Sequence, residues 1–262
     1  MDEKLLVSLI CPGVFLLDEN HQATGYLVVG SERACVIDTM MADTDLGAAV
    51  RELTDKPVFV INTHGHGDHV FGNVFFDECY MSHKDLPLVD MFLKNPEFLA
   101  DVEKNHWKIP EFHDVKEGDL FDLGGKTLEV FELPGHTRGG ILLLLKEDRI
   151  LFTGDSINHH LWMQLDGCLP FDEFAKKLDR LMFLEDRADR ILHGHARDFD
   201  DISLMRCIRD GAQEIAEGIK AGDEPYHYFG GEVMQHHFRV LPDRHYQQNH
   251  HVIIYDSAKM QA

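Results

Sequence analysis

The stretch "NTHGHGDHVFGN" at residues 62–73 sets His64, His66, Asp68 and His69 within six positions, with glycine at 65 and 67. Imidazole nitrogen and carboxylate oxygen are the donors that a borderline cation such as zinc prefers. Glycine reaches backbone angles closed to other residues, so Gly65 and Gly67 let the loop turn sharply and aim its neighbours at one centre. The preceding run "VFVIN", entered from Pro57, is short and apolar and predicts a buried strand. The histidine cluster thus belongs to a loop at the end of a core strand.

Three more predicted strands end in the same kind of residue. "VFELPG" is followed by His136, "LFTG" by Asp155 and "ILHG" by His195. Loops gathered at one sheet edge bring side chains together across long sequence separations. Seven donors suit two ions better than one: two incomplete shells about 3.5–4 Å apart, sharing one carboxylate, leave room for water. Taken singly, each motif has an ordinary explanation. An isolated HxH is most often of no chemical consequence, and Asp68 and Asp155 are also suitable helix or turn caps. The ordered set of four outweighs those explanations.

In order and spacing, His64-x-His66-x-Asp68-His69, "PGHT" at His136, "TGDS" at Asp155 and "HGH" at His195 resemble the metallo-β-lactamase fold superfamily over roughly residues 10–220. The resemblance implies an α/β fold, a four-layered αββα sandwich with a dinuclear site at one edge between the sheets. It implies that His64, His66 and His136 hold the first metal, that Asp68, His69 and His195 hold the second, and that Asp155 bridges them. Two divalent ions are expected, zinc first, with iron or manganese as alternatives. Asp68 is also the expected catalytic group, orienting a metal-bridging hydroxide and accepting its proton. Asp38, closing "ACVID", matches the family's aspartate that steadies the histidine loop from behind by accepting a hydrogen bond.

Composition narrows the remaining classes. The 262 residues are 44% hydrophobic, enough for a sizeable core, and a single domain over 1–262 is the simplest expectation. The 5 cysteines stand singly and the N-terminus is not signal-like, which predicts a reducing, cytoplasmic setting without a disulfide framework. No apolar run approaches the roughly 18–20 residues of a membrane span. With 25 basic against 46 acidic residues the formal charge is −21, which repels a phosphate backbone. The expected partner is therefore a small-molecule substrate, not nucleic acid or membrane; the oligomeric state has no signature in the sequence.

Short β-branched runs from "LLVSLI" to "ACVID" predict antiparallel strands, followed by a helix over 43–55. Strands resume over 126–154, and apolar residues at three- and four-residue spacing predict helices over 170–185 and 203–220. Residues 84–117, rich in mixed charge and aromatics, predict one or two helices in a lid insertion over a cleft. "MQHHFRVL" and "HVIIYD" predict two strands in a short C-terminal extension from about 226. The architecture expected is one domain of two sheets flanked by helices.

Several further residues are candidates for the site. His159, His160, Trp162 and Met163 follow the bridging position and are candidates to line the substrate pocket, with core packing an equal alternative for Trp162 and Met163. His83 is expected at the surface or packed, His193 behind the ligands, and the six histidines between 227 and 251 mostly exposed on strands. Tyr226, Tyr228 and Tyr246 are candidate oxyanion donors.

The resemblance also bears on the reaction. A bridging aspartate is similar to hydroxyacylglutathione hydrolases, lactonases and phosphodiesterases of the superfamily, while "GHARD" at His195 departs from the "GHEY"-like stretch of the glutathione thioesterases. The expected activity is hydrolysis of a small, partly apolar ester, thioester or lactone. The alternatives are a mononuclear iron persulfide dioxygenase-like oxidoreductase, using His64, His136 and Asp155, and a phosphodiesterase of the same fold.

Overall fold

The structure, a computed structural model, describes residues 5–239 and 251–258. Strands β1 (Leu5–Cys11), β2 (Val14–Glu19), β3 (Thr24–Val29), β4 (Ala34–Ile37), β5 (Val58–Ile61), β6 (Cys79–Met81) and β7 (Phe112–Asp114) lie in that order in the first sheet. Pairing is antiparallel as far as β4 and parallel beyond it. The later strands are β8 (Leu120–Asp122), β9 (Thr127–Glu132), β10 (Ile141–Leu145), β11 (Ile150–Gly154), β12 (His160–Trp162), β13 (Arg190–His193), β14 (Asp200–Asp201), β15 (Glu224–Tyr228), β16 (Gly231–His237) and β17 (Val252–Tyr255). A second sheet has the order β14-β13-β11-β10-β9-β8, and a third β12-β17-β16-β15. The helices are α1 (Leu46–Leu53), α2 (Gly67–Val70), α3 (Leu86–Phe92), α4 (Pro96–Asn105), α5 (Phe171–Leu181) and α6 (Leu204–Ala216).

Side-chain alternation explains the layers. In β10, Ile141, Leu143 and Leu145 meet Val28, Ile37, Phe59 and Ile61 of the first sheet. Its intervening Leu142 and Leu144 pack with Phe174, Leu178 and Ile208 of α5 and α6. On the far side of the first sheet Leu27, Val36 and Val60 pack on Leu46 and Val50 of α1. The order is helix, sheet, sheet, helix: the αββα sandwich expected from the sequence. Both faces of β10 are buried, which is why "ILLLL" reads as an unbroken apolar run and not as an alternation. Each of those side chains contributes about 1.5–3 kcal/mol of burial.

The third sheet departs from the two-sheet expectation. Its β12 has three residues, too few to show a period, and it pairs in parallel with β17 from the far end of the chain. The C-terminal extension is a hairpin, β15 with β16, and begins earlier than the predicted "MQHHFRVL" strand. Positions 240 and 241 of that predicted strand lie outside the described residues.

The segment 84–117 holds two helices. Asn95 caps α4 by accepting from the amides of Glu97 and Phe98, Pro96 occupies its first turn, and His106 ends it in a left-handed conformation with φ +55°. The segment also supplies β7, which completes the first sheet. Among the described residues no helix is long and apolar enough to cross a membrane.

Candidate metal centre

The loop after β5 is closed by its own ends. The Asn73 amide donates to Asn62 Oδ1 at 2.7 Å, and the Asn62 amide donates to the His69 carbonyl at 2.7 Å. Within this clasp the one-turn helix α2 starts immediately after His66, which folds Asp68 and His69 back towards His64. Asp38 sits beneath, with φ +58°; aspartate is one of the few side chains that visit that region readily. It accepts from the Thr63 amide and hydroxyl, both at 2.7 Å, and from His69 Nδ1 at 3.0 Å.

Three other strand ends deliver the remaining side chains. His64, His66 and His136 each place one donor atom within 4.8 Å of the others, and so do Asp68, His69 and His195. Asp155 lies between the two triads: Oδ1 is 3.7 Å from His69 Nε2, and Oδ2 is 3.2 Å from His195 Nε2 and 3.9 Å from His136 Nε2. All seven residues singled out from the sequence are therefore brought together. Gly194 makes the approach feasible, since a Cβ there would lie 2.4 Å from Asp155 Oδ1 and 2.6 Å from His69 Cε1.

The imidazoles are oriented by oxygen acceptors behind them. His69 Nδ1 donates to Asp38, His136 Nδ1 to the Trp162 carbonyl at 2.6 Å, and His195 Nδ1 to the Gln22 carbonyl at 3.3 Å. His64 Nδ1 donates to the Thr63 hydroxyl at 3.1 Å, because that hydroxyl spends its own hydrogen on Asp38. This network assigns the tautomers and turns Nε2 of all four rings inward. Buried and without hydrogen-bond partners there are His64 Nε2, His69 Nε2 and Asp155 Oδ1. Buried polar atoms are normally satisfied, so a group of facing nitrogen and carboxylate donors fits a cation.

The electrostatics agree. Burial pushes the His64 and His66 imidazoles well below their usual range, and neighbouring imidazoles add to the effect. Burial opposes charge on His69 too, but Asp68, Asp38 and Asp155 outweigh it and hold that ring well above the usual range. Asp155 likewise raises His195. Burial works against the Asp155 carboxylate, and His195 and His69 overcome it and hold the group well below the carboxylate range. The carboxylates thus draw positive charge into the cluster, whether from protons or from a cation.

Two supporting carboxylates were not visible in the sequence. Asp85, inside the segment expected to be a lid, is buried and accepts from the Gly65 amide at 3.0 Å, the Thr137 hydroxyl at 2.7 Å and the Gly139 amide at 2.6 Å. It ties the histidine loop to the loop of His136. The other is Asp200. Behind His195, where it was expected, the buried His193 accepts at Nδ1 from the His195 amide at 3.1 Å and brings Nε2 within 3.2 Å of Asp200. His159 Nε2 donates to the same carboxylate at 2.9 Å, and its Nδ1 is 2.7 Å from His251 Nδ1. Single aspartates in charged stretches are too common to signal such roles alone.

Other expectations divide. His160 and Trp162 line the cleft over the centre, whereas His159 and Met163 are buried behind it. His83 turns away and donates to the Phe112 carbonyl. Of the C-terminal histidines, His237 and His227 are exposed as expected, but His236 and His251 are buried. His236 and His237 do point to opposite faces, and His236 is held between Asp223 at 2.7 Å and Glu214 at 3.1 Å. Tyr226 reaches the cleft, and Tyr246 lies outside the described residues.

Comparison with known proteins bears on the same residues. The profile of the Metallo-beta-lactamase superfamily matches residues 19–195. The chain is 28% identical over 232 residues to Acyl-coenzyme A thioesterase MBLAC2 of Homo sapiens, covering 74% of this chain and 82% of that protein. It is 33% identical over 99 residues to a Hydroxyacylglutathione hydrolase of Rhizobium meliloti (strain 1021), covering 37% and 33%. Among solved structures it is similar to a metallo-beta-lactamase family protein from Thermus thermophilus, with TM-score 0.62, 21% identity and coverage of 82% of this chain and 84% of that one. With the profile spanning most of the sandwich and all four histidine and aspartate motifs, the chain belongs to the metallo-beta-lactamase superfamily and is a hydrolase.

Proposed function

We propose that this hydrolase cleaves a small thioester at a two-metal centre, with ester and lactone as the chemically neighbouring substrates. The observation that carries the reading is Asp155 standing between two donor triads, with inward-facing atoms on His64, His69 and Asp155 that no hydrogen bond satisfies. His64, His66 and His136 would hold one ion, Asp68, His69 and His195 the other, and Asp155 both. A pair of divalent cations, zinc first by donor type, supplies Lewis acidity that makes water acidic near neutral pH and withdraws charge from a carbonyl oxygen. The thioester is favoured over other acyl groups by the similarity to an acyl-coenzyme A thioesterase and a hydroxyacylglutathione hydrolase.

The chain's own residues account for the rest. Asp68, in the first turn of α2, has its carboxylate on the cleft, where it orients the attacking water and takes its proton. The carbon–sulfur bond breaks, and the proton passes to the departing thiolate, leaving a carboxylic acid and a thiol. The Leu88, Met91 and Phe92 side chains of α3 wall the cleft, so the 84–117 segment serves to exclude water from the reacting carbonyl. Asp38, Thr63 and the Trp162 carbonyl fix the rings so that little reorganisation accompanies the reaction.

The test is a panel of aryl esters, thioesters, lactones and phosphodiesters on tag-free protein, with oxygen uptake on glutathione persulfide measured alongside. Turnover of thioesters above the other classes, without oxygen uptake, is expected. Oxygen uptake with one iron per chain would replace this reading with the dioxygenase, and preference for phosphodiesters would replace it with a nuclease-like hydrolase.

A further inference from the structure

The cleft above the centre has a volume of about 750 Å³, in the range that encloses most of a drug-sized ligand. Its floor carries the candidate ligands, and its walls come from two separate parts of the chain. Met91 comes from α3, and Trp162 from β12 with Phe229 from the tip of the β15–β16 hairpin. Phe229 is 87% exposed and Met91 59%, unusual exposure for large apolar side chains that border one cavity. Phe229 is not a stray residue: its ring centre lies 5.9 Å from Trp162 and 5.2 Å from Tyr228. Among the described residues lining the cleft there is no lysine or arginine, and Asp166 adds a carboxylate.

We infer that this groove is an acyl-chain subsite, and that the enzyme favours thioesters with a longer unbranched acyl group over short ones, since the cleft has room for the chain beside the reacting carbonyl. The inference rests on the thioester reading and extends it to specificity. A substrate whose carbonyl lies on the floor must run one of its two arms along the apolar wall. The thiol arm of a biological thioester is polar or anionic, and an apolar wall offers it no hydrogen bonds. The acyl arm loses nothing there and removes Phe229 and Met91 from water. Phe229 and Met91 are thus specificity residues, acting on the chain and not on the reacting atoms.

The experiment uses the metal-loaded full chain and acetyl to decanoyl thioesters of N-acetylcysteamine, whose neutral leaving group keeps charge constant. The expected kcat/KM climbs about 3–4-fold per added methylene, the equivalent of about 0.8 kcal/mol per buried CH2. Phe229→Ala and Met91→Glu flatten that slope, each series being normalised to its own acetyl thioester. Both side chains are exposed and outside the core, and circular dichroism verifies that each variant keeps the fold. In parallel, dissociation constants are measured by calorimetry for the uncleavable S-alkyl thioethers of the same thiol, with the same slope expected. If no thioester turns over, the reaction reading fails, and the thioether series still decides the groove. A flat series in the wild type, or a slope that both variants keep, overturns the subsite.

Discussion

The Thr137 hydroxyl donates to Asp85 Oδ2 at 2.7 Å, joining two residues 52 positions apart. Through that contact, and through the amides of Gly65 and Gly139, one carboxylate sets the spacing between the loop of His64 and His66 and the loop of His136. Removing it strands three donors in a buried setting.

Asp85→Ala should therefore lower stability by about 2–4 kcal/mol, several unsatisfied donors at about 1–3 kcal/mol each being partly relieved by rearrangement. Metal affinity should drop about 10–100-fold, as when supporting partners of metal ligands are lost. Denaturant titration and metal competition measure the two effects. Equal metal retention in the variant would show that Asp85 does not position the histidine loops.

Asp200 gives a pH prediction. Burial alone would raise its carboxyl, but the hydrogen bond from His159 and the adjacent His193 imidazole outweigh burial and hold it below the usual carboxylate range. The folded state then binds the Asp200 proton more weakly than the unfolded chain does. The stabilisation is present above the unfolded carboxyl value of about 3.9 and is lost as pH falls through and below it. Thermal unfolding from pH 7 down to pH 3 should show Asp200→Asn less stable than the wild type at pH 7, with the gap closing in acid. A gap that stays constant with pH would refute the assignment.

Gly194→Ala tests how tightly the centre is assembled. The added methyl would meet Asp155 Oδ1 at 2.4 Å and His69 Cε1 at 2.6 Å, so the carboxylate or the ring must shift. Displacements of that order in a catalytic constellation cost about 10²-fold in rate. The variant should fold, by circular dichroism, and lose activity on that scale. Activity within a factor of two of the wild type would mean that Asp155 tolerates displacement.

Much of this was legible in the sequence because the relevant signals are local. A loop that carries His64, His66, Asp68 and His69 in six positions declares itself, and each remaining motif ends an apolar run that reads as a strand. The four layers were legible only through the family resemblance, and the burial of "ILLLL" on both faces supplies the physical reason. What escaped detection depends on pairing across the chain. The three-residue β12 acquires its identity from β17, some ninety positions later, and His251 is buried through its contact with His159. Asp85 looked like one more charge in a mixed-charge segment, because its three donors lie on two other loops. Asp38 was legible only through resemblance, and its contacts with Thr63 and His69 supply the physical reason.

The central claim is that two cations are held in common through Asp155, and metal content is its most direct measurement. Tag-free protein loaded with zinc and desalted should retain about two ions per chain by mass spectrometry, as the two triads require. Asp155→Ala, carried through the same procedure, should fall to one or fewer, since both shells lose a donor. A wild-type chain that retains no ion, or an Asp155→Ala chain that keeps both, would contradict the account.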